Sequence, residues 1–385
     1  MRLLLTLVFL LIGLVSCGTR NSIPELQGKD PLFNKPEQNS SEQDSNQTST
    51  CPTQNNLFNW QDYKQDAVSS IVLPASISSA IDICFSGNKG EYIALVGDQQ
   101  DDLVVVLYNS NKKTFDIITE IDSKKYLAGK SYSFLQCLDQ GDFLLGVNTK
   151  DNKGHVFHYD RKLKIFFEIV NLNLGLDNWQ NKGIWGKYYN DFWLVYTKDS
   201  SKNKYLIKHV CSNEEQGSGL LVFNDYPIVK KIWGLNNYVY VVVSKGDTSE
   251  ELIRFNTETQ KYINIELHLE RPKEQLINFI TGTNACDLKI GGNNLFGQKQ
   301  EDEWRTYQSF NEELLDGVSL DQNFIAITTN SFFKSNQSGL VSINKPISNI
   351  SGFVSIDFKK NHFLLLGKGI NERVYIKHFL KKKLT

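Results

Sequence analysis

Groups able to do chemistry are thinly spread along this 385-residue chain. His155 and His158 stand three apart in an apolar stretch. On a strand that spacing puts them on opposite faces, so they read as hairpin side chains and not as metal ligands. Carboxylates cluster at Asp101-Asp102, Glu214-Glu215, Glu301-Asp302-Glu303 and Glu312-Glu313. All fall where inter-strand loops are expected, and there charge keeps turns solvated and sheet edges unattractive. Lys381-Lys382-Lys383 reads as a solvated tail, although such a run can also touch anionic lipid. No GxxxxGK[ST], GxGxxG, HExxH, GxSxG or EF-hand loop occurs. No catalytic residue, metal ligand or dissociable cofactor is therefore assigned.

One phrase occurs twice. Lys182-Gly183-Ile184-Trp185-Gly186 and Lys230-Lys231-Ile232-Trp233-Gly234 share the Lys-x-Ile-Trp-Gly pattern, and Tyr188 and Tyr189 follow the first copy closely. Trp179, Trp193 and Tyr226 are near in sequence. Large aromatics at a cavity mouth can anchor a protein partner or stack on sugar rings. Trp185, Trp233, Tyr188 and Tyr189 are therefore the candidate ligand-binding set. The competing reading is that both tryptophans pack between repeated units.

A reactive thiol of another kind sits near the start. Met1-Arg2 is basic, and Leu3 to Leu14 is an apolar run broken only by Thr6 and Gly13. That run is too short to span a bilayer and has the length of a signal-peptide core. Leu14-Val15-Ser16-Cys17 then resembles the lipobox of bacterial lipoproteins. The resemblance implies diacylglyceryl transfer to the Cys17 thiol, cleavage before it and acylation of the new amino group. Gly18 in place of Asp implies outer-membrane sorting in a host with two membranes. At about 0.8 kcal/mol per buried CH₂, several acyl chains hold a protein on a membrane essentially permanently. The covalent lipid is the only prosthetic group expected.

Between Asn34 and Asn56, sixteen of 23 residues are Asn, Gln, Ser or Thr, and none is aliphatic or aromatic. Such a stretch buries too little surface to offset its conformational entropy, so a flexible tether is expected. The expected organisation is a signal peptide over 1–16, a lipidated start and linker over 17–60, and one folded domain over 61–385. Five cysteines remain after lipidation: Cys51, Cys84, Cys137, Cys211 and Cys286. Export permits disulfides, but fifteen ways of drawing two bridges leave the connectivity open.

From Ile71 onward short apolar runs alternate with turn residues, with no long helical period. An aromatic-led apolar strand follows Gly90, Gly141, Asn190 and Asn237, with fainter copies at Gly292, Gln322 and Asn361. Successive starts lie 51, 49, 47, 55, 30 and 39 residues apart. Eighteen residues after Gly90, Gly141 and Asn237 stand Tyr108, Tyr159 and Phe255, and Phe310 and Phe379 repeat the feature. Seven residues further on come Phe115, Phe166 and Tyr262. The runs are continuously apolar, so both faces of each sheet must be covered. Stacked four-stranded blades of 40–50 residues supply that cover.

The expected fold is an all-β propeller of seven blades. The short 30-residue interval leaves six open. The last copy has three strands, and Val68–Leu73 is expected to pair with it and close the ring. The layout resembles quinoprotein and kelch propellers without their signature residues, so no activity follows from it.

Lys+Arg number 42 and Asp+Glu 43, which removes the basic surplus a nucleic-acid binder needs. The predicted inner strands, Ile81–Cys84, Phe134–Cys137, Ile184–Trp185 and Ile232–Trp233, read as poor in titratable groups. That favours a monomeric, membrane-anchored binding or scaffold module for an envelope protein or glycan. In layout this resembles the propeller lipoprotein of the outer-membrane barrel-assembly machinery. An envelope hydrolase or lyase acting on glycans and a surface adhesin are the alternatives.

Overall fold

The computed structural model describes residues 63–65, 71–73, 77 and 79–381, the last range apart from connecting segments of which the longest is 118–130. Every described element is a strand, and every pairing between strands is antiparallel. Among the described residues no helix is long and apolar enough to cross a membrane.

Two short strands, β1 (Tyr63–Gln65) and β2 (Ile71–Val72), precede the first sheet. Blade 1 is β3 (Ser79–Ser86), β4 (Tyr92–Gln99), β5 (Asp102–Asn109) and β6 (Thr114–Ile117). Blade 2 is β7 (Ser131–Cys137), β8 (Phe143–Asn148), β9 (Gly154–Asp160) and β10 (Ile165–Glu168). Blade 3 holds β11 (Trp179–Tyr188), β12 (Asp191–Lys198), β13 (Tyr205–Cys211) and β14 (Leu220–Phe223). Blade 4 holds β15 (Ile228–Leu235), β16 (Tyr238–Ser244), β17 (Glu250–Asn256) and β18 (Tyr262–Ile265). Blade 5 has β19 (Leu276–Thr281), β20 (Lys289–Gln300) and β21 (Glu303–Glu313). Blade 6 has β22 (Asp316–Leu320), β23 (Asn323–Ile327), β24 (Phe332–Asn336) and β25 (Gly339–Ile343). Blade 7 is β26 (Ile350–Lys359), β27 (His362–Gly369) and β28 (Val374–Lys381), completed by β1 and β2 on β28.

The first strands of successive blades (β3, β7, β11, β15, β19, β22 and β26) neighbour one another, and β26 returns to β3. This is a closed propeller with the first strands innermost. The 30-residue interval now has a cause. Blade 5 has only three described strands, and two residues, Leu314 and Leu315, join β21 directly to the inner strand of blade 6. Closure differs in detail from the single strand expected. Ile71 faces Ile376 and Leu73 donates to the Val374 carbonyl at 3.2 Å, while a second piece, Tyr63–Gln65, pairs with Phe379–Lys381. Residues 68–70 of the expected strand lie outside the described residues.

The repeated aromatics form rows across the blades. Ile93, Tyr108 and Phe115 are cross-strand neighbours, as are Phe143, Tyr159 and Phe166, then Val239, Phe255 and Tyr262. Phe143 and Tyr159 stack at 4.9 Å. The described side chains of the second strands are nearly all buried, which is why these strands read as unbroken apolar runs.

Six of the seven inner strands share a device that the repeat in sequence did not reveal. A register shift falls between Ala80 and Asp82, Tyr132 and Phe134, Asn181 and Gly183, Val229 and Lys231, Ile277 and Phe279, and Phe353 and Ser355. Each shift marks a bulge, which raises local twist and re-aims the next side chain. The residue two after each shift is aliphatic: Ile83, Leu135, Ile184, Ile232, Ile280 and Ile356. All but Leu135 are buried, pinning the strand back into the blade.

Candidate functional site

The inner strands carry titratable groups after all, contrary to the expectation from sequence. Asp82 on β3, Tyr132 on β7, Asp316 on β22, and Ser355 and Asp357 on β26 meet across blades 6, 7, 1 and 2. Their acids escaped notice because each stands alone in an apolar phrase: Ile81-Asp82-Ile83, Leu315-Asp316-Gly317 and Ile356-Asp357-Phe358. A scan for paired carboxylates passes over single acids that only the ring brings together. The available signal was an isolated Asp within a strand too apolar to solvate it.

Each carboxylate is used between blades. Asp316 Oδ2 accepts from the Ser355 hydroxyl at 2.8 Å and the Ile356 amide at 3.0 Å, and Oδ1 from the Gly317 amide at 2.8 Å. Asp357 accepts from the Phe85 amide of blade 1 at 2.6 Å and from Phe358 at 2.8 Å. Asp82 Oδ1 accepts from the Ile83 amide at 2.8 Å and lies 3.2 Å from Ser355 Oγ, and its Oδ2 accepts a hydrogen bond from the Tyr132 hydroxyl. Burial, with the neighbouring carboxylates adding to it, pushes Asp316 and Asp357 up to about 6. Lys231 and the amide and hydroxyl donors pull Asp316 the other way. Burial, then the Asp82 charge, raises Tyr132 well above the ordinary phenol range. The arrangement offers two carboxyls that gain and lose a proton near pH 6.

Beside it, Cys84 on β3 and Cys137 on β7 form a disulfide with Cα atoms 5.8 Å apart, joining the inner strands of blades 1 and 2. Cys51 and Cys286 lie outside the described residues.

The repeated phrase falls on β11 and β15, innermost strands of adjacent blades. Trp185 faces Trp193 and Trp233 faces Tyr240 across their first hairpins. The Trp185 indole crosses to the next blade and lies on Gly234, where a Cβ would have no room. Trp233 tilts against Tyr240 at 5.8 Å and packs with the cluster containing Trp304. Both indoles are wedged between blades, yet neither is fully buried. Tyr188 pairs with Asp191 at the end of β11, and Tyr189 lies outside the described residues, as does Cys17.

The remaining candidates disperse. His155 and His158 lie on β9, and each meets its own carboxylate, Glu168 at 2.6 Å and Asp142 at 3.1 Å. Among the described residues no group of His, Cys, Asp or Glu is placed to hold a metal ion. Of the acidic clusters expected in loops, Asp102 begins β5, while Glu303, Glu312 and Glu313 lie on the long strand β21. Lys381 is the last residue of β28 and faces Tyr63.

No family model and no curated protein sequence matches the chain. Solved structures do match in fold. The WD40 β-propeller domain of Doa1 is 12% identical with a TM-score of 0.55, over 83% of this chain and 98% of that one. The Cps50 (Swd1) β-propeller domain of Myceliophteria thermophila is 10% identical with a TM-score of 0.53, over 81% and 98%. The extracellular domain of a one-component system from B. thetaiotaomicron is 14% identical with a TM-score of 0.54, over 82% of this chain and 40% of that one. At such identities the likeness is one of fold alone.

Proposed function

We propose that this chain is a lipid-anchored envelope protein whose propeller is a binding or scaffold module for an envelope protein or glycan. The observation that carries the binding reading is the use made of the inner-strand acids. Their oxygens accept hydrogen bonds from amide and hydroxyl groups of neighbouring blades, so they brace the ring. A rigid ring presenting loops suits recognition. Leu14-Val15-Ser16-Cys17 supports the anchor, and the Cys84–Cys137 disulfide supports maturation in an oxidising compartment. The partly exposed indoles Trp185 and Trp233, on neighbouring blades, are the proposed anchors for the partner.

The test is covalent crosslinking in intact envelopes, followed by detergent-free fractionation, of three chains: wild type, Cys17→Ala, and Trp185→Ala with Trp233→Ala. Cys17→Ala should leave the membrane fraction with its fold intact. The tryptophan variant should stay on the membrane, melt somewhat below the wild-type temperature through the packing it loses between blades, and lose the crosslinked partner. A large fall in melting temperature instead would make both indoles packing residues and remove the proposed site.

One observation favours a second reading, a glycan-acting hydrolase or lyase. A carboxyl held near pH 6 is a competent general acid, and Asp316 and Asp357 are two such groups. Loss of glycan cleavage in Asp357→Asn, with melting unchanged, would favour this reading over binding.

A further inference from the structure

Ser355 Oγ lies between two carboxylates, 2.8 Å from Asp316 Oδ2 and 3.2 Å from Asp82 Oδ1. A serine hydroxyl has one proton and satisfies one of them. With both acids ionised, the other contact sets lone pair against lone pair. Asp82 already accepts from the Ile83 amide at Oδ1 and from the Tyr132 hydroxyl at Oδ2. A proton on Asp316 resolves the clash of lone pairs. Asp316 then donates to Ser355, Ser355 donates to Asp82, and Tyr132 donates to Asp82 from the opposite side.

From this proton count we infer that the ring is closed by a proton-linked hydrogen-bond chain, Asp316–Ser355–Asp82–Tyr132, complete only when Asp316 is protonated. The chain runs along the inner strands of blades 6, 7, 1 and 2 and crosses the junction between blade 7 and blade 1. It acts as a pH-sensitive latch on the propeller, whatever the propeller binds.

The surrounding charges agree with this direction. Burial opposes ionisation of Asp316 most and the Asp82 charge adds to it, which sets that carboxyl at about 6, while Asp316 and Asp82 in turn oppose ionisation of Asp357. Lys231, from blade 4, is the cation acting the other way. Behind Phe85, His362 and His378 meet at 2.9 Å, each ring 5.8 Å from that phenyl. Imidazoles ordinarily titrate in the same range, so the test must read the carboxyls themselves. The sign follows from linkage. A carboxyl with a folded value above its unfolded one binds more protons when folded, so stability is full in acid and falls as pH rises through about 6.

The experiment is a carbon-detected NMR titration of the full chain labelled at aspartate and tyrosine, from pH 4 to 8, beside melting curves over the same range. The Asp316 carboxyl should titrate near 6, with Asp82 and the Tyr132 phenol carbon shifting at the same midpoint. Ser355→Ala should uncouple those responses while leaving the His362 and His378 signals as they were. Asp316→Asn should flatten the fall in melting temperature between pH 5 and 7.5 by half or more. An Asp316 carboxyl that titrates below 4.5, or coupling that survives in Ser355→Ala, overturns the proposal. Should Asp316→Asn fail to fold, the wild-type titration decides alone.

Discussion

Tyr132 shows how a single side chain is committed at this seam. Its ring spans from blade 2 to blade 1, its hydroxyl donates to Asp82, and burial makes its own ionisation costly. Tyr132→Phe keeps the ring but leaves Asp82 Oδ2 without its cross-blade donor. A hydrogen bond to a charged acceptor is worth about 1.5–3 kcal/mol, so denaturant unfolding should show a loss of about 2 kcal/mol at neutral pH. Lys289 is a comparable case away from the axis. Fully buried in β20 and lowered by that burial, it is held by Asp287 and lies 5.8 Å from the centre of the Phe324 ring. Neither residue was legible beforehand, since a lone Tyr or Lys in a strand has no partner in its own segment.

At the scale of elements, the bulged inner strand is the repeated working part. The extra residue turns the strand and the aliphatic after it fastens it, so polar groups such as Asp82, Lys231 and Ser355 recur just past the bulge. The Cys84–Cys137 disulfide ties two of these strands across a sequence separation of 53. Replacing both cysteines with serine should cost about 2–4 kcal/mol in denaturant unfolding, by freeing the unfolded chain. Loss near zero would mean that packing between blades 1 and 2 already fixes the strands. The inner position of four strands could be read from the order of apolar runs. The bulges could not, because a register shift is defined only against the partner strand.

For the whole molecule, closure is the cooperative event. The last blade takes its outer pieces from the beginning of the chain, with Tyr63–Gln65 and Ile71–Val72 both on β28. Leu73 and Ile77 are buried in the cluster that joins blade 7 to blade 1. A chain starting at Gln61 should therefore melt close to the full-length protein, whereas one starting at Pro74 should lose cooperative unfolding. Equal melting temperatures by calorimetry would show that the ring closes without these strands.

The sequence by itself determined the class of fold and that the start of the chain completes the last blade. It left six or seven blades open and did not show that two pieces do the pairing. Continuous apolar runs at a repeat near 45 residues need sheets covered on both faces, and aromatics at a fixed offset reappear as rows such as Phe143, Tyr159 and Phe166. These are local, periodic properties, and periodicity survives in one dimension. Only the tertiary structure decided the inner-strand carboxylate cluster and the cysteine pairing. Asp82 and Asp316 are 234 residues apart, and Ser355 reaches both only because the ring brings blade 7 between blades 6 and 1. The environment that raises Asp316 is likewise made by other blades, so no reading of its own neighbours could have supplied it.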